Sequence, residues 1–165
     1  MTASQNFLQA AAMTLQVGDS APDFTLMSDK NESVTLSQLR GKKVVLYFYP
    51  KDDTPGCTKQ ACDLRDAMPD LTSRDTVVLG ISKDSPTQHK RFREKYTLPF
   101  SLLADETGDV CQLYGVIDKK SLFGNTFMGI QRSTFLIDEN GVLTAVWRKV
   151  KVPGHAQKVL NEIES

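Results

Sequence analysis

The 165-residue chain reads as a mixed α/β protein, a central sheet with helices on both faces. Three observations predict this class. Apolar runs of strand length, “KKVVLYFYP”, “TVVLGIS” and “FSLLAD”, are bounded by charge or proline. Segments with apolar residues at helical spacing lie between them. The alternation ends in a hairpin pattern and a last helix, the order of a layered sheet rather than of a bundle or a sandwich.

The elements follow in order. Residues 1–12 read as a flexible leader without a basic n-region, and one domain spans 13–165. Residues 14–41 form an entry segment with hairpin turn signals at Gly18-Asp19 and Asp29-Lys30-Asn31. After the strand in “KKVVLYFYP”, a helix starts near Pro55, with Leu64, Ala67 and Met68 on its apolar face and Pro69 expected to kink or end it. “TVVLGIS” is the next strand. “SPTQHKRFREKY” follows as a helix with Ser85 as N-cap and Pro86 in the first turn. “FSLLAD” is a short strand and “TGDVCQLYGV” a short helix closed by Gly115. Residues 117–131 have weak periodicity and read as the longest loop. “RSTFLIDENGVLTAVWR” is a hairpin turning at Asn140-Gly141, and “GHAQKVLNEIES” a helix with Val159 and Ile163 on one face.

Composition excludes several classes. Twenty Lys and Arg balance twenty Asp and Glu, without a basic block, so nucleic acid and anionic membranes are not expected partners. The apolar runs are too short to span a bilayer. Three cysteines are too few for a secreted disulfide scaffold and suit a cytoplasmic protein with a catalytic or transient disulfide. There is no C-x-x-C pair, and His89 and His155 lie far from the cysteines in sequence, so no zinc site is expected.

The chemistry concentrates in “YFYPKDDTPGCTKQACDLRD”. Cys57 falls in a predicted first helical turn, where free N–H groups and the macrodipole favour a thiolate. Gly56 permits close backbone approach, and the Thr54 hydroxyl is available to the sulfur or to a bound oxygen. Cys62 lies five residues on. An intact helix separates such Cα atoms by roughly 8.7 Å, beyond the ~7 Å reach of a disulfide. The pair can join only if the first turns unwind, which suits a redox cycle rather than a permanent staple. By themselves these residues also admit a plainer reading, with the cysteines as small buried hydrophobes.

The string Pro50-Lys-Asp-Asp-Thr54-Pro-Gly-Cys57 resembles the active-site signature of peroxiredoxins, and the longer segment resembles their Q-type, or bacterioferritin comigratory, subfamily. “VGDSAPDFTL”, “VVLGIS”, “FSLLAD”, “YGV”, “RSTFLID” and the “GH” before the last helix extend the likeness from Val17 onward. The resemblance implies a thioredoxin-like fold with the peroxiredoxin N-terminal extension. It implies an antioxidant peroxidase for hydrogen peroxide and organic hydroperoxides that needs no metal, haem or flavin. Carried over, Cys57 is the peroxidatic cysteine, which becomes a sulfenic acid. Cys62 is the resolving cysteine, forming a disulfide recycled by thioredoxin or a glutaredoxin-type dithiol. Thr54 hydrogen-bonds thiolate and peroxide, Arg132 holds the sulfur as thiolate, and Pro50 shields the pocket. Members are commonly monomers.

Gln60 stands where many peroxiredoxins carry a glutamate against the arginine. Cys111 matches no functional position and reads as a core thiol, with a backup resolving role as its alternative. His89, among Lys90, Arg91 and Arg93, reads as part of a solvated helix face; His155 reads as structural. Phe123, Phe127 and Met128 read as packing or as an apolar rim, and Trp147 as core. The rival readings are a thioredoxin-type oxidoreductase, which lacks its C-x-x-C here, a redox sensor or holdase with little turnover, and a metal module short of ligands.

Overall fold

The computed structural model describes residues 14–164; the expected leader, residues 1–12, lies outside them. Seven strands form the main sheet: β1 (Thr25–Ser28), β2 (Ser33–Thr35), β3 (Lys43–Phe48), β4 (Thr76–Ser82), β5 (Ser101–Ala104), β8 (Ser133–Ile137) and β9 (Leu143–Trp147), in the order β2-β1-β5-β4-β3-β8-β9. Among the described residues, β6 (Ile117–Leu122) and β7 (Asn125–Ile130) pair only with each other. The helices are α1 (Pro55–Ser73), α2 (Pro86–Tyr96), α3 (Asp109–Leu113) and α4 (His155–Glu164). β3, β4 and β5 run parallel, joined through α1 and α2; β8 and β9 add an antiparallel hairpin beside β3.

β3 is central and buried on both sides, hence its unbroken apolar run. Its alternate residues enter different core layers. Val44, Leu46 and Phe48 pack with Phe135, Tyr114 and Cys111 under one face. Val45 and Tyr47 pack with Leu64, Phe92 and Val159, from α1, α2 and α4, under the other. Ser85 caps α2 with a reciprocal capping box through Gln88 and Pro86 opens the helix, as its sequence predicts. At the β8–β9 turn Gly141 takes φ 82° and its N–H returns to the Asp138 carbonyl.

Two segments depart from the sequence reading. Pro69 does not end α1, which runs on to Ser73. Pro69 is exposed, so the interrupted hydrogen bond lies toward solvent. The cost of an interior proline, about 3 kcal/mol, is offset by burial of Leu64 and Leu71, each about 1.5–3 kcal/mol. Residues 117–131 are not a loop but the β6–β7 hairpin. Its turn places Phe123 (φ 51°) and Gly124 (φ 81°) consecutively in the left-handed region. This is the hairpin geometry normally announced by Asn-Gly, disguised here by phenylalanine. Phe123 is 94% exposed at the tip, and Phe127 and Met128 are exposed beside it.

Gly80 pairs with Tyr47 across β4 and β3. A Cβ at position 80 would stand 2.9 Å from Leu102 Cδ2 and from Tyr47 Cζ and its hydroxyl oxygen, so the ring occupies the space a side chain would need. Gly80→Ala is expected to lower the unfolding free energy by about 1–3 kcal/mol through overpacking. Urea denaturation measures this, and an unchanged midpoint would mean that the Tyr47 ring yields without cost.

Candidate active site

The site is assembled where β3 ends. The antiparallel register sets Phe48 opposite Ser133, so the residue before β8, Arg132, is delivered beside the turn that follows β3. That turn spans residues 49–54 and opens into α1 with Pro55 in its first turn. Cys57 is buried, with 2% exposure, in the first turn of the helix. Arg132 Nη2 donates to Cys57 Sγ at 3.3 Å, and Nη1 donates to Gln60 Oε1 at 2.6 Å. One guanidinium face therefore reads two positions one helical turn apart. Gly56 permits this approach: a Cβ there would stand 3.2 Å from Arg132 Nη2.

Gln60 accepts the arginine without bringing a negative charge into the site. Its Nε2, like the Tyr47 hydroxyl, is buried without a hydrogen-bond partner. Burial, followed by the charges of Asp52 and Cys57, holds the Tyr47 hydroxyl well above the usual phenol range. Thr54 occupies the N-cap position, but its hydroxyl donates to the Lys51 carbonyl at 2.8 Å and closes the turn rather than reaching Cys57. Pro50 is half-buried directly after β3.

Cys62 is half-buried on the same helix, and all three cysteines are free thiols. Cys111 belongs to the core layer on the other side of the sheet from Cys57. Burial, then the Asp105 carboxylate, pushes its thiol well up, which makes it an inert core group. Its backbone N–H donates to Asp105 Oδ2 at 2.8 Å.

His89 is not on a solvated face. It is fully buried, with Nδ1 2.6 Å from Asp52 Oδ2 and Nε2 3.0 Å from the Leu103 carbonyl. Its charged sequence neighbours point elsewhere; the relevant face is His89, Phe92 and Tyr96, spaced three and four apart. That spacing was available in the sequence, whereas Asp52, its partner, carried no signal of its own.

The AhpC/TSA family profile matches residues 17–146. The chain belongs to that family. A Coxiella burnetii protein assigned as a bcp peroxiredoxin is 55% identical over 151 residues, covering 92% of this chain and 100% of that one. Peroxiredoxin Bcp of Bacillus subtilis is 47% identical, covering 92% and 97%. Among solved structures, a cysteine-to-serine variant of Xylella fastidiosa PrxQ superposes with a TM-score of 0.86 at 36% identity, covering 90% and 95%. The Xanthomonas campestris bacterioferritin comigratory protein, described for its alkyl peroxide reduction activity, superposes at 0.82 with 37% identity, covering 86% and 90%. The chain is thus a peroxiredoxin of the Bcp or Q type, a thiol-dependent peroxidase on the thioredoxin fold.

One further group in the peroxiredoxin lies within reach of the Arg132 charge. His155 opens α4, its Nε2 2.8 Å from Thr134 Oγ1 and its ring edge-on to Trp147, which is partly buried against the same core. Burial, then the charges of Lys158 and Arg132, brings its pKa down from 6.5 to about 4. The neutral ring adds no repulsion to the guanidinium. Because the unfolded chain binds a proton here more readily, this contribution is complete above about pH 6.5 and is lost as pH falls toward 4. The unfolding midpoint of wild type is expected to fall more steeply over that interval than that of His155→Gln. Parallel curves would show that His155 does not carry the difference.

Proposed function

We propose that Cys57 is the peroxidatic cysteine and Cys62 the resolving cysteine of this peroxidase. The observation that carries the reading is the Arg132 guanidinium on Cys57 Sγ at the start of α1. An arginine and the N–H groups of a helix start both favour an anionic sulfur. The same donors stabilise the negative charge that grows on the leaving peroxide oxygen as the O–O bond breaks.

The thiolate attacks the terminal oxygen of a hydroperoxide. The S–O bond forms as the O–O bond breaks, and the leaving oxygen takes a proton to depart as water or an alcohol. Cys57 is left as a sulfenic acid. Thr54 turns its hydroxyl from the Lys51 carbonyl to the entering oxygen, and Pro50 keeps bulk water from the sulfur. The Cys62 thiol then attacks the sulfenic sulfur; a disulfide forms and water leaves. On the intact helix the two Cα atoms are roughly 8.7 Å apart, so the first turns unwind before this step. Both cysteines lie within α1 as free thiols, the arrangement of the reduced state.

The substrates are hydrogen peroxide and organic hydroperoxides. The reductant is a thioredoxin or glutaredoxin-type dithiol, which returns both cysteines to thiols by exchange. The enzyme works in the cytoplasm as a monomer, its residues from 13 onward forming one domain. Among the described residues no helix is long and apolar enough to cross a membrane.

Peptide mapping after one equivalent of hydrogen peroxide, with free thiols alkylated, is expected to show a Cys57–Cys62 link. Cys57→Ser abolishes peroxide consumption. Cys62→Ser keeps one fast oxidation and loses most dithiol-driven turnover. Full turnover in Cys57→Ser would overturn the assignment. A lasting sulfenic acid in wild type would remove Cys62 as resolver.

A further inference from the structure

The turn between β3 and α1 is fastened by a buried polar cluster that the chemistry above does not use. Asp52 stands at its centre, its side chain 6% exposed. Oδ1 accepts from the Tyr49 hydroxyl at 2.5 Å. Oδ2 is hydrogen-bonded to His89 Nδ1 at 2.6 Å, and His89 Nε2–H donates onward to the Leu103 carbonyl at 3.0 Å. The Asp52 backbone N–H donates to Asp84 Oδ2 at 2.8 Å, an oxygen that also accepts from Ser82 Oγ at 2.6 Å. One residue of the turn is thus fixed to β4, α2 and β5 at once.

The next residue fastens the turn from outside. Asp53 adopts φ 59°. Its Oδ1 accepts from the Tyr96 hydroxyl and its Oδ2 from Lys95 Nζ, each at 2.8 Å. Four residues later comes Cys57. Asp52, Asp84 and His89 have ligand atoms within 4.8 Å of one another. Those atoms are already bonded to protein groups, and the geometry is that of a hydrogen-bonded clip rather than of a cation site.

We propose that Asp52 and His89 are positioning residues of the peroxidase site: together they pin the turn that presents Cys57 and hold the helix start in its attacking form. A buried carboxylate and imidazole are a poor way to gain stability, since an apolar pair of similar volume commonly serves as well. What a fully hydrogen-bonded pair supplies is a single placement of the backbone. Arg132 meets the sulfur from the β8 side, and the clip fixes the same turn from the α2 side. The clip also sets a boundary: unwinding for the Cys57–Cys62 step begins after Asp53, while residues 49–53 stay anchored. This inference rests on Cys57 as the attacking thiol.

The test separates the two steps. Oxidation by hydrogen peroxide is timed in a Cys62→Ser background, and disulfide formation in the two-cysteine protein, by quenched-flow mass spectrometry. In Asp52→Ala/His89→Leu the oxidation rate constant is expected to fall about 10- to 100-fold, with resolution unchanged or faster. Asp52→Asn keeps the clip in neutral form. Its amide oxygen accepts from Tyr49, its Nδ2–H donates to a neutral His89 Nδ1, and Nε2–H stays on Leu103. It is expected to recover most of the oxidation rate. Circular dichroism at the assay temperature verifies folding, and Asp52→Ala alone replaces the double variant if that does not fold. A wild-type oxidation rate in a folded clip-less variant overturns the proposal, as do equal losses in both steps or an Asn variant as slow as the Ala variant. Peroxide consumption by Cys57→Ser would instead overturn the assignment beneath it.

Discussion

The contact on which the rest of the site depends is the one between Arg132 and the first turn of α1. Arg132 lies 75 residues from Cys57 and 72 from Gln60 in sequence. No local signal can bring them together. The sheet does so: β8 runs antiparallel to β3, Ser133 falls opposite Phe48, and the residue before Ser133 is placed at the mouth of α1. A register slip of one residue would turn every side chain of β8 to the other face. The buried alternation of Phe135 and Ile137 against Leu136 forbids it. The apolar core thus fixes a polar contact by fixing a register.

Much of this was legible in the sequence. Continuous apolar runs locate β3 and β4, Pro55 and Gly56 locate the start of α1, and Ser85-Pro86 that of α2. What escaped was governed by spatial rather than sequential neighbours. His89 stands among charged residues along the chain but shares a helix face with Phe92, under the sheet. The β6–β7 hairpin has largely exposed residues, so burial imposes little periodicity, and its Phe123-Gly124 turn carries no Asn-Gly mark. Pro69 kept its place because the carbonyl it leaves without a donor is on the outer side of a helix held by Leu64 and Leu71. The site residues were named from a motif and a resemblance. That Gln60 accepts from the arginine, and that Thr54 bonds Lys51, required the folded chain.

The sheet also sorts the cysteines. Cys57 and Cys111 are both buried, yet they occupy core layers on opposite faces. A bond between them would require passage around or through the sheet. Cys62 shares a helix with Cys57, and only a short segment must move for the two to meet. Burial alone does not distinguish a reactive thiol from an inert one. The two sulfurs differ in what surrounds them: a guanidinium at a helix start for Cys57, a carboxylate for Cys111.

The first turn of α1 is weakly capped by ordinary standards. Thr54 makes no side-chain cap, and no acidic residue lies in the first turn. Arg132 donates to the sulfur instead, and the helix start adds the positive end of its dipole. On the proposed cycle, the charge of Cys57 is therefore part of what holds its own helix start. Attack on peroxide converts the anion into a neutral sulfenic acid, and that attraction is withdrawn. Downstream, Leu64 and Leu71 remain buried and keep the rest of the helix in place. Upstream, Asp52 and Asp53 remain bonded to α2. The segment that the proposed cycle unwinds is bounded on both sides and contains both cysteines of α1. The chemistry of the first step thus prepares the geometry of the second.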